Sequence, residues 1–177
     1  MDYGQISKDT LLKLLSNLPR TPDNQAIAAY LQDLVNAGNV QAVPYSYNVV
    51  YWLTGAANAL AAGAANVPGN LNIQADADFL VLNQVFWANS ANAAQTANNR
   101  VSPNISVSIS DTGSGMSWSD VAVPIYNIFG RGDLPYVLPE PKLIKAKSTV
   151  QVLATNFDVA AGYNLWLTFN GVKLYQY

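Results

Sequence analysis

The stretch from Ile128 to Ile144 contains three prolines and two glycines, and it constrains the fold more than any other part of the chain. Proline fixes φ and cannot donate a hydrogen bond to a sheet, whereas glycine readily adopts positive φ. The stretch is therefore predicted to connect β layers without forming a regular element. Its apolar residues, among them Phe129, Leu134 and Val137, predict that the connection packs against a core.

From Val43 onward, apolar and polar side chains alternate with a period of two, which is typical of half-buried strands. Segments of this kind lie at 45–52, 71–76, 79–87, 105–109, 121–126 and 149–156. A last strand pair is predicted over 163–175, with a hairpin turn at Asn170-Gly171. Pro68-Gly69 predicts another turn, and the Asn-rich segment from Asn89 to Asn99 predicts a surface loop.

Eight or nine short strands at this spacing favour a mainly β fold, a jelly-roll-like antiparallel β-sandwich formed by residues 41–177. Residues 1–40 differ, because their apolar residues recur at helical spacing in two segments. The first predicted helix covers Ser7 to Leu18, and the second has Thr21 as its N-cap and Gly38 after its end.

The 1–40 segment is interpreted as an N-terminal helical arm. The apolar face of its second helix supplies the candidate partner-contact residues Ile27, Tyr30, Leu31 and Leu34. Two alternatives stay open at this stage: the arm packs on its own domain, or it docks on a neighbouring subunit.

Composition narrows the function classes. Only 11% of the 177 residues are charged, against about 25% in typical domains. A surface so poor in charge suits burial against further copies or a larger assembly, so a homo-oligomer is expected, with a trimer as one option. The net charge of −2 and the scattered basic residues argue against nucleic acid or an anionic membrane as partner.

Cysteine and histidine are both absent from the chain. This excludes disulfides, thiolate catalysis, Ser-His triads and histidine-ligated zinc. No cofactor is expected, and the protein is predicted not to be an enzyme.

The sharpest chemical motif is Asp111-Thr-Gly-Ser, which matches the catalytic loop of aspartic proteases. A single copy would have to act as a retroviral-type homodimer. The 16 residues between Gly113 and Gly130 (130 − 113 − 1) are too few for that protease core. The motif is therefore interpreted as a glycine-rich turn after a strand, with the protease as a remote alternative.

Three further patterns have both a functional and an ordinary structural interpretation. Asp76-Ala-Asp78 would place two carboxylates on one strand face, as in a calcium site, but without a third acid a solvated strand end is favoured. Arg131-Gly-Asp133 lies in a Pro/Gly-rich connection and is interpreted as a turn. The four tryptophans could form a carbohydrate platform, although packing in a core or an interface is favoured.

Several segments taken together resemble the small virion proteins of tailed bacteriophages. The segments are Asn72-Ile-Gln-Ala-Asp-Ala-Asp-Phe79, Ile105-Ser-Val-Ser-Ile-Ser-Asp-Thr-Gly113, Val123-Pro124, Phe129-Gly130, Leu134-Pro-Tyr-Val-Leu-Pro139 and Asn164-Leu-Trp-Leu-Thr-Phe-Asn-Gly-Val-Lys173. The resemblance covers about Leu60 to Tyr175 and does not include the helical arm. It implies a jelly-roll capsid cement or decoration protein that clamps major capsid subunits in the phage particle, assembled in the host cytoplasm.

Two hypotheses follow. The first is a structural virion protein that binds itself and a major capsid protein. The second is an adhesive or carbohydrate-binding β-sandwich of a phage tail or fibre, which would use exposed aromatic side chains.

Overall fold

The computed structural model describes residues 40–55, 57–90 and 101–176, and five positions of the predicted second helix. Those five positions, Gln25, Ala28, Ala29, Gln32 and Asp33, are helical. The first predicted helix, the candidate contact residues Ile27, Tyr30, Leu31 and Leu34, and most of the predicted loop at 89–99 lie outside the described residues.

The described part is mainly β and forms two antiparallel sheets, which confirms the β-sandwich. Its strands are β1 (Val40–Tyr51), β2 (Val67–Asn72), β3 (Asp78–Ser90), β4 (Ile105–Asp111), β5 (Met116–Ser117), β6 (Val123–Pro124), β7 (Tyr136–Ile144), β8 (Thr149–Asn156) and β9 (Tyr163–Gln176). The four-stranded sheet has the order β1-β9-β3-β7. The five-stranded sheet has the order β2-β8-β4-β5, and β6 also pairs with β4. Within these ranges, no helix is long and apolar enough to cross a membrane.

The core lies between the two sheets and follows the predicted alternation. Val150 and Val152 of β8 are fully buried, as are Leu165 and Leu167 of β9 in the opposite sheet. Tyr51 joins the sheets directly, because its hydroxyl donates a 2.7 Å hydrogen bond to the carbonyl of Val152. Burial raises the pKa of the Tyr51 hydroxyl, so the neutral form that can donate this bond is favoured.

The prediction that no regular element crosses 128–144 is wrong, because β7 occupies its second half. β7 is an edge strand of the four-stranded sheet. Its pairing with β3 is interrupted between Val137 and Lys142, and Pro139 and Pro141 fall in that interval, where no ladder hydrogen bond is lost. The predicted packing holds for Phe129, which is buried, but not for the exposed Leu134 and Val137.

The predicted hairpin at Asn170-Gly171 is also wrong, because β9 continues through it as one 14-residue strand. Gly171 pairs with Tyr45 of β1 on one side and Val81 of β3 on the other. A Cβ at this position would overlap the carbonyl oxygen of Leu80 and lie 2.9 Å from its carbonyl carbon. Glycine is present here because two backbones approach closely, and no turn is involved.

The turn predicted at Pro68-Gly69 lies inside β2 instead. A Cβ on Gly69 would lie 2.5 Å from Cγ1 of Val49 and 2.7 Å from the hydroxyl of Tyr51, so the glycine makes room for the core. Pro68 is exposed and β2 is an edge strand, which tolerates proline.

Prolines also lie in two further edge elements of the described sheets. Pro44 lies in β1, and Pro124 ends the two-residue β6. The strand predicted at 121–126 shortens to β6, because a 3-10 helix begins at Ile125.

Candidate binding face

Three tryptophans meet on the outer face of the four-stranded sheet. The strand register places Trp166 of β9 directly beside Trp87 of β3, and Trp52 follows the end of β1. The Trp166 ring centroid lies 4.6 Å from that of Trp87 and 5.9 Å from that of Trp52, both edge to face. Trp52 is 45% exposed and Trp87 39%. These three residues are called the tryptophan cluster below.

Next to the tryptophan cluster, uncharged polar side chains form a hydrogen-bonded ladder across the same face. The hydroxyl of Thr168 donates to the side-chain oxygen of Asn48 over 2.6 Å. The hydroxyl of Ser46 donates to Asn170 over 2.6 Å, and the Asn170 amide donates to Asn83 over 2.8 Å. These five residues are called the polar ladder, and three hydrogen bonds within it use the side-chain oxygens of all three asparagines as acceptors.

A buried lysine fixes the turn that holds Asp76. Lys173 of β9 is 1% exposed, and its Nζ donates to Asp76 at 3.2 Å and to the side-chain oxygen of Gln74. Nζ also lies 4.3 Å from the ring centroid of Tyr45, within the range of a cation–π contact. Burial alone would lower the pKa of Lys173, but the hydrogen bond to Asp76 and the surrounding tyrosines raise it above its ordinary value.

The two carboxylates of the Asp76-Ala-Asp78 motif have different lysine partners, although both residues line one pocket. Asp78 begins β3 and accepts hydrogen bonds from Nζ of Lys145 at 2.9 Å and from the backbone N–H of Ala146 at 2.8 Å. Asp76 lies in the preceding turn and binds Lys173 instead. The predicted common strand face is therefore wrong. The described residues contain no group of three or more side chains suited to a metal ion.

The lowered pKa values of two aspartates indicate how the stability of the fold depends on pH. Burial would raise the pKa of Asp76, but its hydrogen bonds with Lys173 hold it below the usual 3.8. The backbone N–H of Ala160 and the Tyr163 hydroxyl likewise lower the pKa of Asp158. A carboxylate with a depressed pKa stabilises the fold above its unfolded-state pKa and loses that contribution as pH falls through the folded value.

We therefore expect the free energy of unfolding to decrease as pH falls below about 4. Urea titrations at several pH values would measure the slope. The double variant Asp76→Asn/Asp158→Asn is expected to flatten it. An unchanged slope in that variant would assign the acid sensitivity to other carboxylates.

Asp111 closes the turn after β4. Its carboxylate accepts hydrogen bonds from the backbone N–H of Gly113 at 2.9 Å and the hydroxyl of Ser114 at 2.7 Å. Gly115 donates to the Asp111 carbonyl and has a φ of 71°, where glycine is favoured. The interpretation as a glycine-rich turn is confirmed, and the absence of catalysis at Asp111 stays a prediction.

The Arg131-Gly-Asp133 motif is a tight turn, as interpreted. The backbone N–H groups of Arg131 and Leu134 each donate to the other residue's carbonyl at 3.0 Å. The Arg131 guanidinium lies 5.6 Å from the ring centroid of Tyr126. The fourth tryptophan, Trp118, packs against Phe169 with ring centroids 5.9 Å apart, so it belongs to the edge of the core.

No protein-family model, no curated protein and no solved structure matches this chain. The sequence suggests the four tryptophans as a group but does not predict which of them meet, because they come from separate segments. The pairing of β9 with β3 on one side and with β1 on the other brings the three members of the tryptophan cluster together.

Proposed function

We propose that the protein is a structural virion protein, a capsid cement or decoration protein that binds neighbouring capsid subunits without catalysing a reaction. The observation that carries the proposal is the outer face of the four-stranded sheet. There the tryptophan cluster and the polar ladder present aromatic and amide groups with no charged side chain among them.

This composition is what a protein–protein contact requires. Interface cores are enriched in tryptophan and depleted in charge, because an unpaired ion buried in a contact costs several kcal/mol. Exposed tryptophans such as Trp52 and Trp87 are the side chains that most often dominate binding energy. A modest contact of this kind holds firmly when many copies repeat it over one shell.

A jelly roll is the proposed form of the β-sandwich. Successive long strands alternate between the sheets, with β1, β3, β7 and β9 in one and β2, β4 and β8 in the other. The order β1-β9-β3-β7 against β2-β8-β4-β5 fits two interleaved Greek keys. Jelly rolls are common in viral capsids, which agrees with the resemblance to small phage virion proteins, and also in lectins.

The second candidate is a carbohydrate-binding or adhesive β-sandwich of a phage tail or fibre. The same tryptophans favour it, because sugars bind to exposed aromatic faces beside amide groups. Two observations argue for the capsid contact instead. The rings of Trp52 and Trp87 both stand steeply to Trp166, at 77° and 68°, and so do not form one flat platform. In addition, the side-chain oxygen of each asparagine in the polar ladder already accepts a hydrogen bond within the ladder.

The double substitution Trp52→Ser/Trp87→Ser tests the proposal. We expect it to weaken binding to capsids that lack the protein by about a hundredfold or more, since hot-spot tryptophans contribute about 2 kcal/mol each and neighbouring ones are not fully additive. Cosedimentation with such capsids gives the affinity, and heat resistance of the reconstituted particles gives the function.

The matched control is Phe157→Ser/Val159→Ser, because both residues are also exposed but lie in the connection between β8 and β9. This control should bind like the unchanged protein. Equal binding by the tryptophan variant would contradict the proposal. Loss of glycan binding, with capsid binding retained, would favour the adhesin.

Self-association, possible as a trimer, remains a prediction, and so does binding to a major capsid protein. The same holds for the proposed docking residues Ile27, Tyr30, Leu31 and Leu34. The location in the phage particle is a prediction as well.

A further inference from the structure

One end of the outer face of the four-stranded sheet is apolar and buried. Four residues there, with exposed fractions of 4% or less, are Ala42, Leu80, Val172 and Leu174. The strand register places Leu80 beside Val172 and Ala42 beside Leu174. These four residues are called the buried patch below. None of them belongs to the hydrophobic core between the two sheets.

The buried patch lies on the same face as the polar ladder, and the five-stranded sheet lies on the opposite face. Side chains alternate along β9, so Val172 and Leu174 share the face of Asn170. Thr168 and Asn170, further along this face, are half-buried, whereas Leu80 and Val172 are 4% and 2% exposed. A single copy of the chain buries them to this extent, so another part of the same chain covers them.

Residues 91–100 are too far from the buried patch to cover it. They follow β3, whose last residue pairs with Tyr163 at the start of β9. The chain returns at the same end, where Asn104 accepts a hydrogen bond from Phe157 in the connection that leads to β9. Val172 lies nine residues further along β9 (172 − 163), which is roughly 30 Å. Ten residues cannot span that distance in both directions, because an extended chain covers at most about 3.6 Å per residue.

The N-terminal arm is attached beside the buried patch. It joins β1 at Val40, which lies two residues before Ala42. Four of the five described positions of its second helix are exposed, and helical spacing puts these positions on the side opposite the apolar face. The apolar face consists of Ile27, Tyr30, Leu31 and Leu34. The arm therefore supplies a complementary apolar surface next to the patch.

We propose that the N-terminal arm docks on the buried patch of its own chain through the apolar face of its second helix. Apolar side chains of the helix cover Leu80 and Val172, and its polar side stays in water. This docking selects the first of the two arrangements that the sequence leaves open. It goes beyond the proposed function, because a partner then meets the tryptophan cluster and the polar ladder, and the apolar face of the arm is already occupied.

Disulfide trapping in the full chain tests this placement, since the chain has no cysteine of its own. Val172→Cys would be combined in turn with a cysteine at each of the four positions of the apolar face. The matched control combines it with Ala29→Cys on the exposed side of the helix. A disulfide requires Cα atoms within about 7 Å, so we expect at least one apolar-face pair to cross-link within one chain about tenfold faster than the control. Non-reducing gels and peptide mass spectrometry would identify the cross-link.

Cross-linking between chains at low protein concentration would overturn the proposal, because the arm would then dock on a neighbouring copy. So would apolar-face pairs that react no faster than the Ala29→Cys control. If Val172→Cys prevents folding, Leu80→Cys takes its place in every pair. The readout does not involve capsid binding, so the result is independent of the proposed function.

Stability gives an independent test with the matched pair Leu31→Ser and Ala29→Ser. We expect Leu31→Ser to lower the equilibrium constant for folding by about tenfold or more, since a docked leucine would lose its apolar contacts. Ala29→Ser, on the exposed side of the helix, should change this constant by less than about twofold. Equal effects of the two substitutions on urea denaturation would contradict the docking.

Discussion

Gly171→Ala is expected to lower the free energy of unfolding by about 3 kcal/mol or more. The added methyl would overlap the carbonyl oxygen of Leu80, and this oxygen belongs to a backbone that cannot rotate away. To remove this overlap, β3 and β9 would have to separate at a point where β9 is also paired with β1. Urea denaturation followed by tryptophan fluorescence would measure the change.

Gly132→Ala is the matched control for this substitution. A Cβ at Gly132 meets no atom within 4 Å, and its φ lies outside the left-handed region. Removing glycine from an exposed turn restricts the unfolded chain, so we expect no loss and a gain of up to about 1 kcal/mol. Similar losses for both substitutions would show that the close approach of β3 and β9 is not what requires glycine.

Lys173→Ala is expected to destabilise the fold by about 3 kcal/mol. Truncation removes about three buried methylenes at about 0.8 kcal/mol each, and the cation–π contact with Tyr45 adds about 1 kcal/mol. Chemical denaturation midpoints at neutral pH would measure the effect.

The matched variant Lys173→Met separates the alkyl stem from the charge. Methionine keeps most of the buried length, and the carboxylate left behind on Asp76 is 46% exposed and can be hydrated. We therefore expect a loss within about 1 kcal/mol, because a buried ion pair adds little over an apolar replacement. A methionine variant as unstable as the alanine variant would assign the stability to the charge instead.

The strands themselves could be predicted from local pattern. β8 buries every second residue and β4 does so from Val107 onward, and this alternation is plain in the sequence around Val107 and Val152. The wrong turn predictions rest on sequence signals whose structural role is decided by contacts with residues distant in the chain. Asn170-Gly171 and Pro68-Gly69 are strong turn signals, but each glycine is required by the proximity of another strand or the core. Tertiary contacts override local propensity at these positions.

A single bulge explains why the tryptophan cluster could not be predicted. β3 has one extra residue between Val81 and Asn83, where its register with β9 shifts. Phe79 and Val81 point into the core before the bulge, and the even-numbered Phe86 does so after it. Strict alternation would have turned Trp87 inward and Gln84 outward. The extra residue exchanges the two faces, and sequence periodicity does not reveal it.

Prolines in the edge strands limit how copies of the chain can pair with each other. Pro44, Pro68 and Pro139 lie in β1, β2 and β7, the full-length edge strands of the two described sheets. Strand addition between copies is the usual route to fibrils, and proline interrupts it by removing a donor. A chain with 11% charged residues has little electrostatic repulsion to keep its copies apart. Its prolines therefore disfavour edge-to-edge strand pairing between copies.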